Sequence, residues 1–390
     1  MQYLTAFDAV LRETVRLWDI PGLAVGIVEG DKTVYAKGFG VQSLDTQTAV
    51  TQDSIFCVSS VSKAFVASAV IQLAEHGEVN LDEPITTYLP YFEMADERYQ
   101  QITARQILSH TSGMPDMTER EYDQMMANPE WDDGAAERNT RKLRSQSLVS
   151  EPGREFHYSN IAYNVLGDLI AKVSGKAFES HIRQSLLIPS GMNDSTFLLA
   201  DVPHERLAVP HLRTPLMRTN PIYPYHRADA PSSFLHTTLR DMCRWCRVML
   251  NQGESVLSVK SLEKMWTPVH SWGGERPDIY EEIGLGWTLG HFNDTRTISH
   301  GGMGFGWTDF LLILPDKNRA AVVLCNAESY VRDQIVDAVA RTMMDEKPET
   351  GKVSWMVPIS QALAAGGIQK AFARFEAIKN DSARYYADEW

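Results

Sequence analysis

The sequence predicts an α+β fold in which one antiparallel sheet, flanked by helices, is built from both ends of the chain. Short apolar runs bounded by turn residues, typical of strands, occur at 23–28 and 33–41 and again between 283 and 326. The residues between these regions contain helical patterns and loops instead. We therefore expect three parts: a sheet domain formed by 1–80 and 255–346, an inserted and mainly helical domain formed by 81–254, and a linker with a C-terminal helical appendage formed by 347–390.

Composition and charge narrow the functional classes. The chain has 390 residues, of which 44% are hydrophobic and 22% charged, as in an ordinary globular protein. Its formal net charge of −13 argues against nucleic acid and anionic membrane surfaces as main partners. No apolar run approaches the length of a membrane span, and the N-terminal residues include acids, unlike a secretory signal. The sequence therefore predicts a cytoplasmic protein, and it leaves self-association open.

The four cysteines predict neither a disulfide framework nor a metal site. Cys57, Cys243, Cys246 and Cys325 are too few and too scattered for a small disulfide scaffold. Cys243 and Cys246 form a C-x-x-C pair, but it lies within a helical pattern, and neither a second Cys pair nor a His pair stands at ligand spacing. We expect these side chains to pack in the interior, and no motif implies a metal or an organic cofactor.

The first elements lead into a helix that carries the most informative motif, Ser60-x-x-Lys63. An amphipathic helix over 1–18 and a hairpin over 23–41 precede an apolar helix predicted from 61 to about 76, which a glycine ends. Lys63 then lies one turn after Ser60 on the same face. A serine at a helix N-terminus can present its backbone N–H to an oxyanion, and a desolvated lysine can accept the serine proton near neutral pH. The pattern suits a serine nucleophile.

This motif alone is weak evidence for catalysis. A chain of this length contains on the order of one or two Ser-x-x-Lys patterns by chance. A second one, Ser261-x-x-Lys264, lies in a charged stretch that is typical of a solvated helix face. Two further motifs downstream give the first one its weight: Tyr158-Ser159-Asn160 and His300-Gly301-Gly302.

The remaining elements follow in chain order. Thr103 and Gly113 are typical start and stop residues of a short helix, and the polar residues 117–147 form the segment with the greatest expected flexibility. The other predicted elements are helices over 161–173, 235–253, 333–344 and 360–379, strands over 283–289, 297–300, 308–314 and 320–326, and irregular connections over 151–160 and 202–233.

The three motifs together resemble those of the serine β-lactamase-related family, which includes class C β-lactamases, D,D-peptidases, D-aminopeptidases and family VIII carboxylesterases. The similarity covers roughly residues 20–344. It includes accessory signatures in the same order along the chain: Leu108-Ser109-His110-Thr111-Ser112-Gly113, Glu151-Pro152-Gly153, Ile283-Gly284-Leu285-Gly286-Trp287 and Leu314-Pro315-Asp316. The resemblance implies a β-lactamase/transpeptidase-like fold.

The resemblance also implies a role for each motif residue. Ser60 resembles the acylated nucleophile, Lys63 its amine partner, and Tyr158 the second general base and acid. Asn160 resembles the amide that orients the substrate or Lys63. His300 takes the place of the lysine in the Lys-Thr-Gly form of the third motif.

The third motif further implies the second half of an oxyanion site. The backbone N–H of Met303 resembles a donor that faces the N–H of Ser60 across the reacting carbonyl. Gly301 and Gly302 would let this strand approach the substrate without a side chain in the way.

The histidine of the third motif guides the choice of substrate. An unperturbed histidine is mostly neutral at neutral pH, so His300 is a weaker anion site than a lysine. We therefore expect a serine hydrolase acting as a carboxylesterase on small esters. The alternatives are a D-amino-acid peptidase or amidase, a D,D-carboxypeptidase-like enzyme, a weak β-lactamase, an acyltransferase, and a penicillin-binding-like sensor without turnover.

Four other histidines carry less weight. His110 is expected to hold the loop near the cleft, and His157 to point away from the neighbouring tyrosine. His211 and His226 lie in the Pro-rich connection and are weaker candidates for contact with the substrate.

Overall fold

The computed structural model describes residues 1–254, 256–272, 279–329, 331–379, 381 and 384–386. Its main feature is an eight-stranded antiparallel sheet with helices packed on both faces, which confirms the predicted α+β class. Within these described ranges, no helix is both long and apolar enough to cross a membrane.

The N-terminal part supplies the first strands and a central helix. Its elements are α1 (Leu4–Trp18), β1 (Gly22–Glu29), β2 (Lys32–Gly40), β3 (Ile55–Cys57) and α2 (Ser62–Glu75). A 3-10 turn over Ser59–Val61 leads into α2, and Gly77, with φ +75°, follows its end as predicted. Nearly all of α2 is buried, because alanine, valine, isoleucine and phenylalanine occur on every side of it.

The middle of the chain is mainly helical. Its elements are α3 (Ala104–Leu108), α4 (Glu119–Ala127), α5 (Ala135–Lys142), α6 (Asn160–Ser174), α7 (Phe178–Ile182), β4 (His211–Arg213), β5 (Met217–Thr219), α8 (Ala230–Ser233), β6 (His236–Thr238) and α9 (Leu239–Leu250). The polar segment 117–147 contains two helices rather than one long loop. A capping box between Thr118 and Glu121 starts α4, which shows how a polar stretch can still satisfy its first helical N–H groups.

The C-terminal part returns to strands. Its elements are α10 (Val259–Met265), β7 (His270–Ser271), β8 (Glu282–Ile283), β9 (Thr288–Phe292), β10 (Thr295–Gly304), β11 (Trp307–Leu314), β12 (Arg319–Cys325), α11 (Arg332–Met343), β13 (Val353–Ser354), α12 (Met356–Ile378) and β14 (Tyr385–Tyr386). The predicted strand over 297–300 is longer than expected and runs on through the third motif.

The sheet joins the two ends of the chain. Its strand order is β2-β1-β12-β11-β10-β9-β8-β7, so β1 from the N-terminal part pairs directly with β12. One face packs against α2 and the helices of the middle part, and the other packs against α1 and α11. This arrangement places the start of α2 beside β10, which carries the third motif. The division into three domains stays a prediction.

Two predicted helices differ from the structure. Residues 235–238 do not begin a helix, because β6 pairs with β3 before Thr238 caps α9. The helix predicted over 360–379 begins earlier, at Met356, and is broken at Gly366 and Gly367. Gly367 has φ +71°, a left-handed conformation that glycine adopts without a steric penalty.

Candidate active site

Ser60 and Lys63 lie next to each other at the N-terminal end of α2. The ammonium of Lys63 donates a hydrogen bond to Ser60 Oγ at 3.0 Å. Ser60 is partly exposed, whereas Lys63 is completely buried. The 3-10 turn places the serine before the first full helical turn.

Two oxygen atoms hold Lys63 in place. Its ammonium donates to Asn160 Oδ1 at 2.6 Å and to the backbone carbonyl of Ser232 at 2.8 Å. Burial lowers the pKa of Lys63 to about 7, although the nearby charges of Asp229 and Asp116 act in the opposite direction. This lowering of the pKa makes an uncharged Lys63, which could accept a proton, accessible near neutral pH.

Tyr158 lies close to Ser60, and the Lys63 ammonium lies 5.0 Å from the centroid of the tyrosine ring. Burial raises the pKa of Tyr158 well above its usual value, so the phenol stays protonated near neutral pH. The imidazole of His110 stacks on the tyrosine ring at 4.2 Å and accepts a hydrogen bond from the Ser159 N–H at 3.2 Å. His110 thus supports the loop that carries Tyr158.

Strand β10 passes directly beside Ser60. A Cβ atom at Gly302 would lie 2.7 Å from the Val58 carbonyl oxygen and 3.0 Å from the Ser60 nitrogen. Only a glycine permits this approach. The strand continues to Met303, the predicted second oxyanion donor. Two backbone N–H groups that face one carbonyl oxygen are the arrangement that an oxyanion site needs.

His300 is buried on the same strand. Its Nδ1 donates to the Gly301 carbonyl at 2.9 Å, which leaves Nε2 as an acceptor. Burial and the neighbouring Lys63 lower the pKa of His300 to about 3, so the ring is neutral near pH 7.

Sequence reasoning missed two acids that lie behind the groups bonded to Lys63. Asp116 accepts hydrogen bonds from the Asn160 backbone N–H at 3.0 Å and from its side-chain amide at 2.8 Å. Asp229 is fully buried and accepts from Asn164 at 2.7 Å and from the Ser232 hydroxyl at 2.9 Å. Burial raises the pKa of Asp229. These acids fix the two groups that hold Lys63, yet no local pattern in the sequence distinguishes them from surface acids.

Two further residues near the site were not predicted. Asp309 is buried behind Ser59, whose hydroxyl donates to Asp309 Oδ2 at 3.4 Å and whose φ is +42°. The guanidinium of Arg332 lies beside β10, since a Cβ atom at Gly301 would be 3.2 Å from its Nη1. A cation therefore stands close to the third motif although the histidine within the motif is neutral.

The other histidines lie outside this cluster. His211 is buried between the Leu44 N–H and the Asn326 carbonyl, so it has a structural role. His226 is buried with its Nε2 4.0 Å from Glu130. His157 lies 3.2 Å from Glu155 and is partly exposed.

The remaining weak motifs are also placed apart from the site. The second Ser-x-x-Lys lies on α10, where Ser261 is buried and Lys264 is exposed. All four cysteines are free and buried, as expected from their pattern. Within the described part of the chain, no group of three His, Cys, Asp or Glu residues is arranged to hold a metal ion.

A family model and a curated relative match most of this chain. The family model described as Beta-lactamase matches residues 7–342. Protein flp of Staphylococcus aureus (strain COL) is 26% identical over 344 residues, which cover 87% of this chain and 66% of flp. The chain therefore spans about two thirds of the length of that relative.

Solved structures show the same fold. The octameric penicillin-binding protein homologue from Pyrococcus abyssi superposes with a TM-score of 0.76 at 24% identity, covering 93% of this chain and 81% of that one. The D-amino acid amidase from Ochrobactrum anthropi SV3, complexed with L-phenylalanine, superposes with a TM-score of 0.74 at 22% identity, covering 87% and 99%.

Proposed function

This chain belongs to the beta-lactamase family, and from that premise we propose that it is a serine hydrolase that forms an acyl-enzyme on Ser60 and hydrolyses small esters. The observation that supports this most directly is the cluster of Ser60, Lys63 and Tyr158, in which an uncharged amine can exist beside the serine hydroxyl near pH 7.

The proposed acylation uses these three side chains in turn. Lys63 accepts the Ser60 proton while Oγ bonds to the ester carbonyl carbon. The developing oxyanion faces the backbone N–H groups of Ser60 and Met303. When the bond to the alcohol oxygen breaks, that oxygen takes a proton from Tyr158, which Lys63 then reprotonates. A water molecule next attacks the acyl carbon, and the acid leaves as Ser60 regains its proton.

The neutral His300 supports esters rather than carboxylate-bearing substrates. An imidazole whose pKa is held near 3 offers no permanent charge to an anion. A small ester needs none, since its reacting group is uncharged. Arg332 is the counter-observation, because its guanidinium lies beside Gly301. An anionic β-lactam is therefore included in the test below.

A second candidate is hydrolysis of amides that carry an amine, such as D-amino-acid amides. Asp116 and Asp229 place negative charge around the site, which favours a substrate ammonium. The solved structure of a D-amino acid amidase with the same fold is consistent with this candidate.

The test compares four substrates: p-nitrophenyl acetate, p-nitrophenyl butyrate, nitrocefin and D-alanine p-nitroanilide. We expect ester turnover that disappears in Ser60→Ala and falls by about a hundredfold in Tyr158→Phe, the usual scale for a general acid–base group. Ser261→Ala is the matched control and should keep the wild-type rate. Wild-type turnover by Ser60→Ala would refute the assignment, and turnover of the anilide with slow esters would favour the amidase.

Self-association is also part of the proposal. The Pyrococcus abyssi homologue with the same fold is described as octameric. In this chain, α12 exposes Ile368 by 79% and Phe372 by 63%, and such apolar side chains are often covered in assemblies.

A further inference from the structure

Three aromatic rings contact one another near the third motif and the segment that holds Lys63. We call Tyr122, Phe234 and Phe305 the aromatic arch. The Tyr122 and Phe305 rings meet edge to face with centroids 5.7 Å apart, and Phe305 stacks on Phe234, also at 5.7 Å. The rings come from three separate elements: α4, the segment after α8, and the turn between β10 and β11. Their contact therefore links both walls of the cleft.

Tyr122 is the ring that extends from the periphery into the site. None of the residues of α4 is fully buried, so this helix lies over the body of the protein rather than within it. Tyr122 is partly buried, and its hydroxyl lies close to Asn160. The same Asn160 holds Lys63, so the tyrosine lies within one side chain of the reacting atoms.

A cavity lies beside α4. Glu121, Gln124 and Met125 border this cavity, which has a volume of ≈ 350 Å³. The helix is not tightly packed there, so substitutions of Tyr122 should not disturb the core.

The other two rings are anchored more firmly. Phe234 is fully buried and follows Ser232, whose carbonyl holds Lys63. Phe305 has φ +59° in the turn that follows Met303. Phe234 and Phe305 thus belong to the two segments that flank Ser60. Tyr122 completes the aromatic arch through its contact with Phe305.

We propose that Tyr122 limits the size of the acyl group that Ser60 can accept, so that this enzyme favours esters of short acids. This inference rests on the proposed function, because it concerns the same nucleophile. An acyl group bonded to Ser60 must share the cleft with the arch. Short groups fit beneath the rings, whereas long chains must displace Tyr122 and break its contacts with Phe305 and Asn160.

The test measures kcat/KM for p-nitrophenyl acetate, butyrate and octanoate. The wild type should favour the short esters. In Tyr122→Ala the ratio of octanoate to acetate should rise by about tenfold or more, the scale at which a pocket discriminates by size. Tyr122→Phe keeps the ring and should keep the wild-type ratio, even if the lost hydroxyl changes KM. Phe372→Ala, an aromatic truncation on exposed α12, is the matched control and should leave the ratio unchanged.

A second readout separates this proposal from the proposed function. Fluorophosphonates with a short or a long alkyl chain form a bond from Ser60 Oγ to phosphorus and release fluoride, without any need for ester turnover. Faster labelling of Tyr122→Ala by the long probe supports the arch even if no ester is hydrolysed. An unchanged ester ratio and unchanged labelling in Tyr122→Ala, or the same gain in Phe372→Ala, would overturn it.

Discussion

Lys63 is the residue on which the proposed chemistry depends, because it is buried without a directly bonded carboxylate. Its ammonium is held by an amide oxygen, a backbone carbonyl and the Ser60 hydroxyl. Neutral acceptors compensate a buried charge less well than a carboxylate would, so the uncharged amine becomes accessible near neutral pH. Asp116 and Asp229 are not bonded directly to the ammonium, and their negative charges partly offset this lowering of the Lys63 pKa.

The pH dependence of turnover should report this environment. Because the pKa of Lys63 is lowered to about 7, kcat/KM for p-nitrophenyl acetate should rise as pH increases through that value, as the amine loses its proton. Asp229→Asn should move this rising limb of the pH–rate profile to lower pH, since the Asp229 charge raises the pKa of Lys63. His300→Gln should leave the limb in place, because the pKa of His300 is about 3 and its ring does not titrate in this range.

Stopped-flow or plate-reader initial rates between pH 5 and 9 are sufficient for this measurement. A limb that moves with His300→Gln but not with Asp229→Asn would assign the titration to the histidine and contradict the role given to Lys63.

The sequence predicted the residues of the site that form short motifs, and missed those that only tertiary structure brings near. Ser60 and Lys63 are separated by one helical turn, so their proximity follows from the helix period alone. Asp116 reaches Asn160 across 44 residues of chain, and Tyr122 reaches it from a polar helix. Neither contact leaves a periodic or compositional signal in its own segment.

At the level of elements, the close packing of α6 against α8 positions the backbone acceptor of Lys63. A Cβ atom at Gly167 of α6 would lie 2.2 Å from Pro231 Cγ. Asn164, one turn earlier, bonds to Asp229 and to the Ser232 N–H. The glycine therefore lets α8 approach until the Ser232 carbonyl meets the Lys63 ammonium.

Gly167→Ala should consequently lower both stability and turnover. Alanine favours a helix by about 1 kcal/mol over glycine, but the overlap with Pro231 forces a backbone shift that typically costs about 1–3 kcal/mol. We expect a lower melting temperature, measured by calorimetry, and a kcat/KM reduced by about tenfold or more as Ser232 moves away from Lys63. Gly134→Ala is the control, since its Cβ would meet only the side-chain ends of Arg138 and Asp132. Equal behaviour of the two variants would show that the α6–α8 contact does not position the site.

Elements with a strong local pattern matched the sequence best. The β1–β2 hairpin, α2, α6 and α11 follow from apolar periodicity bounded by turn or capping residues. The errors occurred where the pattern was ambiguous or polar. Residues 235–238 pair with β3 rather than starting a helix, and Ala364-Ala365 favoured a continuous helix where Gly366 and Gly367 break it.

Across the whole molecule, two hydrophobic clusters lie on opposite faces of the sheet. One contains α2 with the middle helices, and the other contains α1 and α11. The pairing of β1 with β12 joins both ends of the matched family region into a single sheet. The sequence predicted this closure of the sheet, because the predicted strands lay only near the two ends of the region.

Removing the C-terminal appendage should therefore leave an active enzyme. Among the described residues, none beyond Met344 belongs to either cluster, and the appendage contacts the body at places such as the Trp18 indole, which donates to the Lys352 carbonyl at 3.0 Å. A chain ending at Glu346 should keep its ester kcat/KM within about twofold, and its melting temperature should fall by only about 2–4 °C, which corresponds to about 1 kcal/mol.

A chain ending at Glu328 is the companion variant. It lacks α11, whose Ile335, Val336 and Val339 are buried and contribute about 1.5–3 kcal/mol each. That loss approaches the total stability of about 5–15 kcal/mol that a domain usually has, so the shorter chain should not fold. If the chain ending at Glu346 also unfolds or loses its activity, the appendage is part of the catalytic unit, and the three-part division of this molecule must be abandoned.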